Sequence, residues 1–81
     1  MKEKGKMIVY GGEGCQQCKI VKMMLDSKGI DYDYVDVYDD EDAQHHLKNK
    51  VGDFSIPKIE YGNNVHNYSA ETMEAIYKDF S

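Results

Sequence analysis

The chain has 81 residues, with 15 acidic and 10 basic side chains, and carries a formal net charge of −5 at pH 7. This length predicts one domain, residues 1–81. All the basic residues are lysines scattered along the chain, without the basic patch typical of phosphate-backbone binding, so we expect no nucleic-acid partner.

The amino-terminal segment, residues 1–6, is rich in lysine, but the apolar run that follows it, residues 7–10, is too short for the core of a signal peptide. No segment approaches the roughly 18 apolar residues of a membrane span. We therefore expect a cytoplasmic protein, monomeric and without a membrane partner. In the cytoplasm thiols stay reduced, and there a Cys-x-x-Cys pair is more often catalytic or metal-binding than a structural disulfide.

The first half of the chain predicts a βαβ unit. Residues 6–10 are apolar except for Lys6 and end at two glycines, which predicts a buried strand. Residues 15–28 repeat apolar side chains at helical spacing and end at a glycine, which predicts a helix. Residues 31–37 alternate tyrosine and valine with aspartate, which predicts a second strand. A right-handed crossover between the two strands would make them parallel.

The second half predicts a helix, a hairpin and a final helix. Residues 39–50 are polar and begin with acids suited to a helix N-terminus. Residues 56–61 and 65–67 flank a Gly-Asn-Asn turn and predict a β-hairpin. Ser69 is placed to cap a helix whose apolar face has i, i+3, i+4, i+7 spacing. That face consists of Met73, Ile76, Tyr77 and Phe80. The predicted order is β-α-β-α-β-β-α, an α/β fold.

The segment Cys15-Gln16-Gln17-Cys18 opens the first predicted helix. Disulfide exchange requires one exposed thiolate that attacks and a second thiol that releases the mixed disulfide. Backbone N–H groups and the helix dipole stabilise a thiolate at a helix N-terminus, so we expect the pKa of Cys15 to lie below about 8.5. Cys15 is thus the predicted nucleophile and Cys18, one turn deeper, the resolving thiol. Gly14 would let the backbone of a partner approach Cys15 closely.

Two other interpretations of the cysteine pair are buried structural cysteines and a zinc site. Zinc would need two further ligands, and the candidates are His45, His46 and His66. Adjacent histidines point to different faces of a helix, which disfavours joint chelation by His45 and His46. We therefore expect no metal, and we interpret the three histidines as solvated or half-buried.

Pro57, the only proline, begins the third predicted strand. Together with Tyr10, the Cys-x-x-Cys pair and Ser55-Ile56-Pro57, it gives the chain a resemblance to the glutaredoxin family over almost its whole length. The resemblance implies a thioredoxin fold, with a four-stranded mixed sheet flanked by three helices. It also implies that Pro57 is cis and faces the cysteines, and that the backbone of Ile56 pairs with a bound peptide or glutathione.

The sequence departs from the family pattern where that pattern binds glutathione. Typical glutaredoxins have a lysine three residues before the first cysteine and a diglycine turn before an acidic segment at the last helix. Here Gly12 stands at the lysine position, and residues 66–71 replace the late segment. The lost charge-assisted contacts, worth about 1.5–3 kcal/mol each, predict weaker glutathione binding. The resemblance and the cysteine motif together give the predicted substrate-binding residues: Gly14, Gln16, Gln17, Ser55, Ile56, Pro57, Tyr68 and Ser69.

Gln17 makes the motif similar to that of the NrdH-type redoxins, which thioredoxin reductase reduces and which feed ribonucleotide reductase. The expected function is reduction of protein disulfides or glutathione-mixed disulfides, without a cofactor and with glutathione or thioredoxin reductase as the electron source. Ribonucleotide reductase is a candidate acceptor. Two alternatives stay open: a dimer that binds a [2Fe–2S] cluster through Cys15 and glutathione, and a non-catalytic thioredoxin-fold adaptor.

Overall fold

The computed structural model describes residues 7–62 and 64–80. Seven elements follow one another in the predicted order. They are β1 (Ile8–Gly11), α1 (Gln16–Ser27), β2 (Asp33–Asp36), α2 (Glu41–Val51), β3 (Lys58–Tyr61), β4 (Asn64–Asn67) and α3 (Ala70–Phe80). Lys6, which the sequence places in the first strand, lies outside the described residues.

The four strands form one mixed sheet in the order β2-β1-β3-β4. β1 and β2 are parallel, as the predicted crossover requires, whereas β1–β3 and β3–β4 are antiparallel. At one end of the strands Tyr10 pairs with Lys58, and Lys58 pairs with Asn67. The end of β1, the start of β3 and the end of β4 therefore meet where the chain leaves β1 for the cysteine motif. This architecture confirms the predicted thioredoxin fold.

Each face of the sheet packs on its own set of helices, because successive strand side chains point to opposite faces. The face that carries Val9 and Ile59 packs on α1 and α3. Its buried residues are Met7, Val9, Val21, Leu25, Ile30, Ile59, Met73 and Ile76. The opposite face packs on α2, and its buried residues are Tyr10, Val37, Ala43 and Leu47.

The last helix confirms its sequence prediction in detail. Ser69 Oγ accepts a hydrogen bond from the Thr72 N–H at 3.0 Å, which is the geometry of an N-cap. Met73 and Ile76 are buried in the core, and the two aromatic residues of the same face pack against its margin. Within residues 7–62 and 64–80, no helix is long and apolar enough to cross a membrane.

Among the element boundaries that differ from the sequence prediction, the starts of α2 and β3 have clear local reasons. α2 begins at Glu41 because Asp40 is its N-cap, with Oδ1 accepting the Ala43 N–H at 3.1 Å. β3 begins at Lys58 rather than Ile56, so Pro57 precedes the strand instead of starting it. Proline has no N–H with which to join the hydrogen-bond ladder.

Candidate active site

The two cysteines lie at the amino-terminal end of α1 and are joined as a disulfide, with Cα atoms 5.3 Å apart. Cys15 is the N-cap of the helix, and its Sγ accepts a hydrogen bond from the Cys18 N–H at 3.1 Å. Cys15 is half-buried, whereas Cys18 is 1% exposed. Cys15 is thus the more exposed residue of the pair and Cys18 the more deeply buried one, as the sequence predicts. Their roles as nucleophile and resolving thiol stay predictions.

The glycines before the motif allow unusually close packing around it. A Cβ at Gly11 would lie 2.9 Å from Cys18 Sγ and would overlap the Tyr34 hydroxyl. A Cβ at Gly12 would lie 2.6 Å from a ring carbon of Tyr38 and 3.1 Å from Ile56 Cδ1. A side chain at either position would therefore displace its neighbours.

Gly14, immediately before Cys15, has a different role. Its φ of 76° is in the left-handed region, which glycine adopts without strain. A Cβ built there would have no described atom within 4 Å, so the surface beside Cys15 is open. Gln16 and Gln17 are exposed in the first turn of α1. Their contact with a substrate stays a prediction.

The segment before β3 lies beside the cysteine loop. The Ile56–Pro57 peptide bond is cis, as the resemblance implies. Ile56 places its side chain against Gly12, and Pro57 is buried. Ser55 is exposed, and both its N–H and its hydroxyl donate to Asp53 Oδ1, at 3.0 and 2.8 Å. The facing of Pro57 toward the cysteines and the pairing of Ile56 with a substrate stay predictions.

A buried lysine that the sequence pattern does not predict lies next to this segment. Lys58 is 2% exposed, and its Nζ donates to Ser55 Oγ at 3.0 Å and to Asn67 Oδ1 at 2.7 Å. It also forms a 3.0 Å ion pair with Asp53 Oδ1. Strand alternation predicts only the face of Lys58. Its position between Pro57 and the apolar Ile59 is the feature of the sequence that could have indicated its burial.

A second polar cluster lies on the α2 face of the sheet. Glu60 Oε1 accepts a hydrogen bond from the Tyr10 hydroxyl at 2.7 Å and contacts His46 Nε2 at 2.8 Å. Burial raises the pKa of Glu60, but the hydrogen bonds from Tyr10 and His46 outweigh it and lower the pKa overall. Burial and the bond to Glu60 raise the pKa of Tyr10, so this hydroxyl stays protonated. His46 is therefore half-buried and paired, which agrees with its predicted setting.

The last two predicted site residues are engaged within the fold. The ring of Tyr68 packs against the core beneath α1 and α3. The hydroxyl of Ser69 caps α3 and also donates to Thr72 Oγ1 at 3.0 Å. Contact of either residue with a substrate stays a prediction.

Comparison with known proteins identifies the family. The family model for glutaredoxin matches residues 7–66. The chain belongs to the glutaredoxin family. With its Cys15/Cys18 pair, it is a glutaredoxin-like thiol redox protein.

Individual relatives share between 18% and 32% of their residues with this glutaredoxin. It is 32% identical over 56 residues to N-acetyl-S-hydroxy-L-cysteine reductase of Bacillus subtilis (strain 168), a match that covers 69% of this chain and 60% of that relative. A crystal structure of a thioredoxin-like protein is 26% identical with a TM-score of 0.78, covering 88% of this chain and 99% of the other. The glutaredoxin of Archaeoglobus fulgidus, at 18% identity and a TM-score of 0.74, covers 86% and 83% and shows the fold alone.

Proposed function

We propose that this glutaredoxin is a thiol–disulfide oxidoreductase that reduces protein disulfides by dithiol exchange. The observation that carries the proposal is the arrangement at the start of α1. Cys15 is half-buried and its Sγ accepts the Cys18 N–H, whereas Cys18 is buried. In the reduced protein the same N–H and the helix dipole would stabilise a thiolate on Cys15.

The reaction has two exchange steps. The Cys15 thiolate attacks one sulfur of a substrate disulfide, forms a mixed disulfide and expels the other substrate sulfur as a thiolate. Cys18 then loses its proton and attacks Cys15 Sγ, which releases the second substrate thiolate. The substrate gains two electrons and, in water, two protons, and the protein is left with the Cys15–Cys18 disulfide seen in the structure.

Thioredoxin reductase, rather than glutathione, is the proposed electron source. The space that a side chain at position 12 would need is filled by Tyr38 and Ile56, so the lysine that binds glutathione in typical glutaredoxins has no counterpart here. A coupled NADPH assay, run once with thioredoxin reductase and once with glutathione and its reductase, tests this choice. We expect faster turnover with thioredoxin reductase, and faster turnover with glutathione would contradict it.

The similarity of Gln17 to the NrdH-type motif extends the proposal to the disulfide of ribonucleotide reductase as one acceptor. The same proposal includes a cytoplasmic location, because a cytoplasmic flavoprotein would keep the cysteine pair reduced. It also includes a monomeric state. Ribonucleotide reduction that depends on the added dithiol protein would support this acceptor. Equal turnover with and without the protein would exclude it.

A second candidate substrate is a small sulfenic acid, which the name of the Bacillus subtilis relative favours. The same cysteines would carry out the reaction. The Cys15 thiolate attacks the sulfenic sulfur and releases hydroxide, and Cys18 resolves the resulting mixed disulfide. With N-acetyl-S-hydroxy-L-cysteine as the probe, the expected products are N-acetylcysteine, water and the oxidised protein. Failure to form the thiol would remove this candidate.

Two variants test the cysteine roles. Cys15→Ser should abolish reduction of insulin disulfides, because no exposed nucleophile remains. Cys18→Ser should still form a mixed disulfide through Cys15 but should not release it. Activity retained by Cys15→Ser would contradict the nucleophile assignment. A wild-type protein that does not reduce insulin disulfides would instead favour the non-catalytic adaptor alternative. Visible absorbance after anaerobic purification would instead favour the [2Fe–2S] alternative.

A further inference from the structure

We propose that Lys58 is a positioning residue for substrate binding, whose buried ammonium holds residues 53–56 in place so that the backbone of Ile56 is ready to pair with a peptide substrate. This inference rests on the proposed function, because it assumes that the substrate is bound beside Cys15.

The contacts of Lys58 match the donor capacity of its ammonium group. A lysine ammonium has three N–H donors, and three oxygens surround Lys58 Nζ: Ser55 Oγ at 3.0 Å, Asp53 Oδ1 at 3.0 Å and Asn67 Oδ1 at 2.7 Å. Two of these acceptors belong to the segment before β3, and the third belongs to the end of β4. The ammonium therefore connects two separate parts of the chain.

Because the ammonium is buried, loss of its contacts would be energetically costly. The side chain of Lys58 is 2% exposed although that of Asp53 is 63% exposed, so the buried ammonium reaches the surface only through its acceptors. A charged group that is buried without acceptors is strongly unfavourable. Withdrawal of residues 53–55 from the ammonium would remove two of its three acceptors, so the segment is held against the sheet. Exposed lysine–carboxylate pairs on protein surfaces impose no such constraint.

The position of Lys58 relates this constraint to the cysteines. Lys58 directly follows Pro57 and pairs in the sheet with Tyr10, near the point where the chain enters the cysteine loop. The segment that it holds reaches that loop through Ile56, whose Cδ1 packs against Gly12. Within the segment, Asp53 Oδ1 also accepts the N–H of Ser55. Lys58 thus fixes the conformation of the backbone that is predicted to pair with a substrate.

Such fixing should matter for peptides more than for small disulfides. A binding segment that is already ordered loses less conformational entropy when a peptide pairs with it. A small disulfide meets only Cys15 and does not use the Ile56 backbone. Loss of Lys58 should therefore weaken peptide binding while the exchange chemistry at Cys15 continues.

The test compares two mixed disulfides of nitrothiobenzoate, one with a cysteine-containing peptide and one with cysteamine, which share the same chromophoric leaving group. Stopped-flow absorbance with pre-reduced protein gives the half-saturating substrate concentration and the limiting rate. For Lys58→Met we expect about a tenfold or greater rise in half-saturation with the peptide and little change in either limiting rate or in the cysteamine reaction. Lys78→Met, which removes an exposed lysine on α3, is the matched control and should behave as wild type.

The outcomes separate this inference from the proposed function. If reduced wild-type protein releases nitrothiobenzoate from neither compound, the proposed function fails. If it reacts with both and Lys58→Met has wild-type half-saturation for the peptide, only the role of Lys58 is overturned. An equal loss with both compounds would also overturn it, because that pattern indicates a general structural defect.

A second variant covers the case in which Lys58→Met does not fold. Asn67 is exposed, and Asn67→Ala removes one acceptor while Asp53 and Ser55 remain. We expect about a threefold rise in half-saturation with the peptide and faster hydrogen exchange of the Ser55 N–H. If both quantities are unchanged in Asn67→Ala, the connection between β4 and the binding segment does not exist in solution.

Discussion

The backbone N–H of Cys18 donates a 3.1 Å hydrogen bond to the Sγ of Cys15. This contact arises because Cys15 occupies the N-cap position of α1, where a side-chain acceptor faces the free N–H groups of the first turn. In the disulfide the sulfur is a weak acceptor. In the reduced protein it would be a thiolate, for which an N–H donor is a much stronger partner.

Alkylation of the reduced protein should therefore select Cys15. We expect iodoacetamide to modify Cys15 at least about tenfold faster than Cys18, because a stabilised, reachable thiolate reacts and a buried thiol does not. Peptide mapping by mass spectrometry after short reaction times measures the ratio. The variant Cys18→Ser should keep the rate at Cys15. Comparable modification of both cysteines would show that the asymmetry of the structure does not govern reactivity.

The pKa of Asp53 should show whether its ion pair with Lys58 is present. The hydrogen bond from Lys58, followed by those from Ser55, lowers the pKa of Asp53 from 3.8 to about 2. Because the folded pKa is lowered, the stabilising contribution of this carboxylate is complete above pH 3.8 and is lost as the pH falls through about 2. In Lys58→Met the pKa of Asp53 should return toward 3.8, as measured by carboxyl NMR titration. An unmoved value would show that the ion pair is absent in solution.

Tyr10→Phe should destabilise the fold in a pH-dependent way. The variant keeps the ring in the core but removes the 2.7 Å hydrogen bond to Glu60, a loss of about 1.5–3 kcal/mol in the free energy of unfolding when Glu60 is ionised. Since the pKa of Glu60 is lowered on folding, its contribution is present above its ordinary value and lost on acidification. Urea denaturation at neutral pH and at low pH measures the difference, which should shrink in acid. A pH-independent difference would contradict the role of the Glu60 charge.

Introducing a lysine at position 12 should improve turnover with glutathione only when Tyr38 is also changed. A Cβ at Gly12 would lie 2.6 Å from the ring of Tyr38, so Gly12→Lys alone should displace that ring without placing its ammonium usefully. The double variant Gly12→Lys with Tyr38→Ala should raise turnover in the glutathione-coupled assay by about tenfold, the value of one charge-assisted contact. Tyr38→Ala alone is the control. Equal gains from the single and double variants would exclude Tyr38 as the obstacle.

Much of the fold and the cysteine site could be predicted because the responsible interactions are local in sequence. Helical periodicity over residues 70–80, the cap at Ser69 and the cysteines at a helix start each depend on neighbours within a few positions. The parallel pair of β1 and β2 follows from the handedness of one crossover. The amino-acid sequence alone predicts these features.

Other features were decided only by the tertiary structure. The partners of Lys58 lie on both sides of it in the chain, and they meet at its ammonium because β3 and β4 pair in a register that sets Lys58 opposite Asn67. The packing of Tyr38 against Gly12 likewise brings together the loops that follow β1 and β2, which are neighbouring strands. A strand pattern shows which face a side chain takes, but burial and partners depend on long-range packing. The amino-acid sequence therefore determined where the sulfur chemistry lies, and the fold determined what surrounds and holds it.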